Sequence, residues 1–222
     1  MSRRPKVLWL SPEAAPFVST GGLAEVAGAM PVRLHAAGWN VELMLPWHRA
    51  VAKSRWTPAI DRAQDFPLHL AGRDYDARLL LAAGKDGLPL CFLRCDELFD
   101  RGGVYAENGH DYGDNHLRYA LLALAACERA RREEVRILHL HDWTAALAAV
   151  LLATRYRDDP DLADLRVVQS IHNLAHSGSF QVHTLDELGL PRELAAWNLM
   201  GHHDEVSWLK GSLLLADLLH TV

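Results

Sequence analysis

Val7-Leu8-Trp9-Leu10, then Ser11–Gly22, then Leu23–Ala37, then Asn40-Val41-Glu42-Leu43-Met44-Leu45: this opening stretch decides the fold. Val7–Leu10 is an apolar run of strand length, followed by a loop rich in Pro, Ser and Gly. Leu23–Ala37 has helical spacing and is closed by Gly38 in the C-cap region, and Pro46 ends the next apolar run. Strand, loop, helix, strand in this order predicts a βαβ unit and a parallel sheet.

The same alternation returns later in the chain. A long helix is expected from Asp114 to Arg132, a strand over Arg136–Leu140, a helix over Trp143–Tyr156 and a strand over Val167–Ile171. Between the two parallel stretches, Phe66–Leu70, Tyr75–Leu81 and Leu88–Leu93 read as short strands separated by turns at Gly72, Gly84 and Gly87. The fold class is therefore α/β, a parallel sheet flanked by helices with a β-rich insertion attached to it. Helical segments are expected up to Leu209–Leu219. The final run Leu218–Val222 is apolar and looks like the start of another strand, so a further segment is expected downstream.

Composition narrows the function classes. Of 222 residues, half are apolar and 23% charged, which suits a globular core rather than a disordered chain. A net charge of −5 leaves no basic footprint for nucleic acid or an anionic membrane. The longest apolar runs, Tyr119–Cys127 and Ala145–Ala153, are nine residues, well short of the ~18 needed to span a bilayer. The basic start Met1–Lys6 runs into an apolar stretch too short for a signal-peptide core. Cys91, Cys95 and Cys127 form no disulfide framework and read as buried reduced thiols. A cytoplasmic location is expected.

In an open parallel sheet, ligands bind outside the carboxyl ends of the strands, so the loops after strands are the candidate sites. Ser19-Thr20-Gly21-Gly22-Leu23-Ala24-Glu25 begins a helix. Its paired glycines either let a phosphate or sugar approach the helix amides or only permit a tight turn, with Glu25 complementing the dipole. His139-Leu140-His141-Asp142-Trp143 ends a strand and begins a helix. Asp142 is either an N-cap or a carboxylate for sugar hydroxyls, with Trp143 as a stacking face. His139 and His141 should share one strand face, without a third metal ligand at a recognisable spacing. His172 and Asn173, directly after a strand, either bind a sugar or stabilise the turn. His202-His203-Asp204-Glu205 reads either as a metal cluster or, as its polarity favours, as a solvated loop. No GxGxxG, Walker A, GxSxG or HExxH pattern occurs, which sets aside a dinucleotide-dependent reductase, a P-loop enzyme, a nucleophile-elbow hydrolase and a zincin.

Several stretches together resemble the bacterial glycogen synthase and plant starch synthase family. Val7–Phe17 is similar to the family's first strand and loop, and Thr20-Gly21-Gly22-Leu23-Ala24-Glu25-Val26 to its K-T-G-G-L-[AG]-D-V signature. Asp100–Tyr105, Asp111–Asn115 and Arg118-Tyr119 resemble its stretch around acceptor and donor. His139–Trp143 resembles H-x-H-D-W, Ser170–Ala175 resembles T-[IV]-H-N-[LI]-[AS], and Trp208–Gly211 with Ala216-Asp217 resembles F-L-K-x-G and A-D.

The resemblance implies the N-terminal domain of a GT-B glucosyltransferase, residues 1–222, with the C-terminal nucleotide-binding domain absent. It implies transfer of glucose from a nucleotide-sugar donor, ADP-glucose, to the non-reducing end of an α-1,4-glucan, with retention and without metal or cofactor. Asp142 and His172 would be catalytic. Ser19, Thr20, Gly21, Gly22, Glu25, Tyr105, Trp143 and Asn173 would bind substrate. Ser19 stands where the family has lysine, which removes a cation from the donor side. With one wall of the cleft encoded, the chain alone is expected to be inactive. The alternative is a non-catalytic or degenerate glucan-binding relative.

Overall fold

The computed structural model describes residues 4–222, so the first three residues of the basic start lie outside it. An eight-stranded sheet runs through the centre in the order Leu218–Thr221, Arg166–Ile171, Ile137–His141, Lys6–Leu10, Asn40–Pro46, Pro89–Arg94, Arg78–Ala83, Ile60–Asp65. The first six are parallel, and the last two continue the sheet antiparallel.

The parallel strands are buried on both faces, as the apolar runs require. In Lys6–Leu10, Val7 and Trp9 pack on one side with the helix Gly22–Ala36, and Leu8 and Leu10 on the other. That second side is covered by the helices Asn115–Arg132, Asp142–Ala153 and Trp208–Leu215. The first of these runs through the interior, with Tyr119 to Cys127 almost wholly removed from solvent. Burying the nine-residue apolar run there contributes about 1.5–3 kcal/mol for each leucine. Among the described residues, no helix is long and apolar enough to cross a membrane. Cys91, Cys95 and Cys127 are free and buried, and burial pushes the Cys95 thiol up to about 11.

The opening βαβ unit forms as expected. The helix ends at Ala36, and Gly38 adopts φ +81 with its N–H on the His35 carbonyl, while Trp39 N–H reaches the Leu34 carbonyl. Only glycine takes that left-handed conformation without steric cost.

The middle of the chain differs from expectation in three ways. Phe66–Leu70 contributes only Leu68–Leu70, which pairs with Arg73–Tyr75 in a separate hairpin. Ala71 (φ 52) and Gly72 (φ 72) turn it, and two consecutive positive φ values match the twist of a two-residue hairpin. Tyr75–Leu81 is therefore split between that hairpin and the strand Arg78–Ala83. The polar strand Ile60–Asp65 was not expected at all. It lies at the sheet edge, largely exposed, so no apolar alternation marks it. Rather than an appended insertion, Pro89–Arg94 is a parallel member of the main sheet beside Asn40–Pro46.

At the C-terminal end, the helix stops at Leu215 and Leu218–Thr221 pairs with Arg166–Ile171. The strand reading of that run holds, and the extension of the helix to Leu219 does not. Asp217 sits between the two elements and its Oδ2 accepts the Val167 N–H at 2.7 Å.

Candidate active site

The chain leaves Lys6–Leu10 towards one side of the sheet and returns on the other at Ile137–His141. The order therefore reverses between these two strands. Loops diverge at such a switch point and leave a crevice at the carboxyl ends. A cleft of about 620 Å³ opens there. It is lined by Glu13, Thr20, Gly21 and Gly22 from the first loop, Tyr105, Asp111 and Asn115, and Asp142, Trp143, His172, Asn173 and His176 opposite.

Gly21 precedes the helix Gly22–Ala36, and no side chain caps that helix. Its first amides are thus free of side-chain partners and carry the positive end of the dipole. A Cβ on Gly21 or Gly22 would meet nothing within 4 Å. Protein packing therefore does not account for the two glycines. Their open faces belong to the cleft.

Glu13, buried at 2% exposure, organises this wall. One of its carboxylate oxygens accepts the Thr20 N–H and the other accepts the Tyr105 hydroxyl at 3.2 Å. Burial, with the Glu13 charge beside it, raises the Tyr105 phenol above its ordinary value, so it stays a protonated donor. Tyr105 is in turn held through its carbonyl by Asn115 Nδ2 at 2.9 Å. Arg118, fully buried, donates to the carbonyls of Leu98 and Val104 and to Asn115 Oδ1 at 2.7–2.9 Å. The guanidinium thus fastens the loop that carries Tyr105. With no carboxylate bonded to it, burial lowers its basicity.

On the opposite wall, the strand Ile137–His141 passes into the helix Asp142–Ala153 without a loop. The bend is taken by Asp142 itself at φ +55, a left-handed conformation that Asp tolerates better than most residues. Asp142 does not cap its own helix. Its Oδ1 instead accepts the N–H of His172 at 2.7 Å and of Asn173 at 3.4 Å, across to the end of the neighbouring strand. The N-cap alternative for Asp142 is excluded. Asn173 Oδ1 closes a turn onto the Ala175 N–H, so the turn-stabilising reading is realised alongside its place in the cleft. Trp143 packs edge-on against Tyr119, with ring centres 5.0 Å apart.

His139 and His141 share a face, both against Trp9 with ring centres at 4.3 Å. His139 bonds Ser170 Oγ and His141 bonds His172, and neither faces a third ligand. Among the described residues, no group of three or more His, Cys, Asp or Glu is placed to hold a metal.

A sheet with its cleft at this switch point, an uncapped glycine-started helix on one wall and Asp142 on the other can be matched against known families. The model of the starch synthase catalytic domain matches residues 6–222. The chain belongs to this family. It is 35% identical over 219 residues to glycogen synthase of Syntrophotalea carbinolica, covering 97% of this chain and 45% of that protein. Against glycogen synthase of Anaeromyxobacter sp. strain Fw109-5 it is 37% identical over 220 residues, covering 98% and 45%. The catalytic domain of starch synthase IV from Arabidopsis thaliana, solved bound to ADP and acarbose, has the same fold, with a TM-score of 0.84. It is 24% identical, and the match covers 97% of this chain and 44% of that one. The chain thus spans about 45% of the length of the curated relatives it matches.

In this chain, eight of the ten expected site residues line one cleft: Thr20, Gly21, Gly22, Tyr105, Asp142, Trp143, His172 and Asn173. Ser19 and Glu25 are exposed and do not line it. Sequence reasoning missed Glu13, and it left Asp111 and Asn115 without roles. The available signal for Glu13 was a carboxylate set in the loop directly after a buried strand, where the sheet places ligands. Among the described residues, no Lys or Arg lines the cleft, while Glu13, Asp111 and Asp142 do.

Proposed function

We propose that this chain is the N-terminal, acceptor-side domain of a two-domain GT-B glucosyltransferase. The reaction is transfer of glucose from ADP-glucose to the non-reducing end of an α-1,4-glucan, with retention and without metal. The observation that carries this reading is the opposition, across one cleft, of the uncapped Gly21-Gly22 helix start and the Asp142–His172–Asn173 wall. Family membership and the ADP and acarbose bound to the Arabidopsis relative support the same substrates.

In this reading the glycine amides stabilise negative charge on the donor diphosphate. Trp143 and Tyr105 flank the sugar path. Asp142 holds the His172–Asn173 backbone through Oδ1 and leaves Oδ2, which has no hydrogen-bond partner among the described residues, to accept a sugar hydroxyl. A transition state that separates a cationic sugar from a leaving diphosphate needs such fixed dipoles. The anionic half also needs cations, and among the described residues this wall has no Lys or Arg. They come from a second domain, so the isolated chain transfers little or no glucose. The cytoplasm, where its three thiols stay reduced, is the compartment we assign.

Incubation of the purified chain with ADP-glucose and glycogen tests this directly, and glucose incorporation by the chain alone would overturn the division of labour. Ser19 favours a second reading, a glucan-binding relative without transferase chemistry. Glucan binding without ADP-glucose binding, once a family C-terminal domain is supplied, would select it.

A further inference from the structure

We propose that His141 is a positioning residue that sets the tautomer of His172: His141 carries its proton on Nδ1 and donates it to His172 Nε2, so His172 carries its own proton on Nδ1. His141 Nδ1 and His172 Nε2 lie 2.9 Å apart, and one of the two must be the donor. His141 is 1% exposed, stacked on the Trp9 indole at an interplanar angle of 21° and packed against His139. Its Nε2 is buried with no hydrogen-bond partner.

That orphan nitrogen decides the direction. If His172 were the donor, the His141 proton would sit on Nε2 as a buried N–H with no acceptor, which native structures rarely contain. With the proton on Nδ1, the orphan is only an unprotonated nitrogen. His172 is then the acceptor at Nε2, and its remaining proton is on Nδ1.

Two consequences follow. The only ring nitrogen of His172 left for a ligand is Nδ1, and in this tautomer it is a donor. Asp142 lines the same cleft and is an acceptor, so the wall offers both a donor and an acceptor to sugar hydroxyls. Protonating His172 would also force the His141 proton onto the orphan nitrogen, which agrees with the burial that already lowers the basicity of both rings. The bearing on sugar binding rests on the reading of the cleft given above, whereas the tautomer itself does not.

Long-range ¹H–¹⁵N spectra of the histidine-labelled chain near neutral pH test the proposal, with His172→Gln and His141→Asn identifying the signals. The expected result is protonated Nδ1 and unprotonated Nε2 on both rings. His141→Asn, whose amide N–H₂ can replace the Nδ1 donor, keeps the His172 tautomer. His141→Phe releases it into a mixture. A His172 ring protonated at Nε2 in the unsubstituted chain, or an unchanged pure tautomer in H141F, would overturn it. If H141F does not fold, the unsubstituted and H141N spectra decide. Failure of the chain to bind acarbose or ADP would count against the assignment of the cleft and leave these nitrogen signals where they are.

Discussion

Asp142 Oδ1 accepts the backbone N–H of His172 at 2.7 Å, joining the end of one central strand to the turn after its neighbour. The carboxylate thereby shapes the wall on which it stands. Its cost is a left-handed backbone at φ +55, kept because the bond and the bend belong to the site.

Substitution at Asp142 separates charge from geometry. Asp142→Asn keeps an acceptor and tolerates the positive φ, so the stability change stays within about 1 kcal/mol. Asp142→Ala loses the bond and gains backbone strain, at about 1–3 kcal/mol in urea unfolding. On the function proposed above, with a family C-terminal domain supplied, both should lower glucose transfer by at least ~100-fold. Retained activity in D142N would show that the negative charge is unnecessary.

The glycines divide into two kinds. Gly21→Ala and Gly22→Ala place a methyl in open space, so melting temperature should hold or rise slightly while ADP-glucose binding weakens. Gly28→Ala puts its Cβ 2.2 Å from the Ala15 carbonyl oxygen, and about 1–3 kcal/mol of stability should be lost. Calorimetry of binding and unfolding on the three variants checks the contrast.

Arg118→Met should be among the most damaging single changes. It leaves the Leu98 carbonyl without this donor and Val104 with the Tyr119 hydroxyl, and it takes the guanidinium from Asn115 Oδ1, so the Asn115 amide that reaches the Tyr105 carbonyl is held less firmly. A loss of about 3 kcal/mol is expected from hydrogen bonds to a buried charged group. Loosening of Tyr105 should appear as faster amide exchange over residues 98–105.

Acid should weaken the fold from a definite starting point. Burial pushes His48 and His139 down to about 4 from 6.5. The unfolded chain binds protons at these sites first, so stability is full above pH 6.5 and falls as pH drops from 6.5 towards 4. Each site contributes up to ~3 kcal/mol of that loss. Urea unfolding between pH 7 and pH 4 measures it, and replacing His139 by Gln should flatten part of the slope.

Ser19→Lys tests the missing cation. Ser19 is exposed, so the substitution should leave stability unchanged. On the function proposed above, with a family C-terminal domain supplied, it should tighten ADP-glucose binding by a few-fold, less so at high salt. No change would favour the glucan-binding reading.

Read alone, the sequence determined the parallel sheet, because strands buried on both faces must be continuously apolar and Val7–Leu10, Leu43–Leu45 and Val167–Ile171 nearly are. It also pointed to the cleft, because in an open parallel sheet the loops after the strands are where a crevice forms. The edge strand Ile60–Asp65 was not legible, because exposed residues pair through backbone and leave no apolar pattern. Nor were the partners of Asp142, whose short-range reading as a cap competed with a bond to a residue 30 positions later. The same holds for Glu13 and Arg118. Each gains its role from backbone groups and side chains brought beside it by the crossing of distant segments, and only the tertiary structure decides which those are.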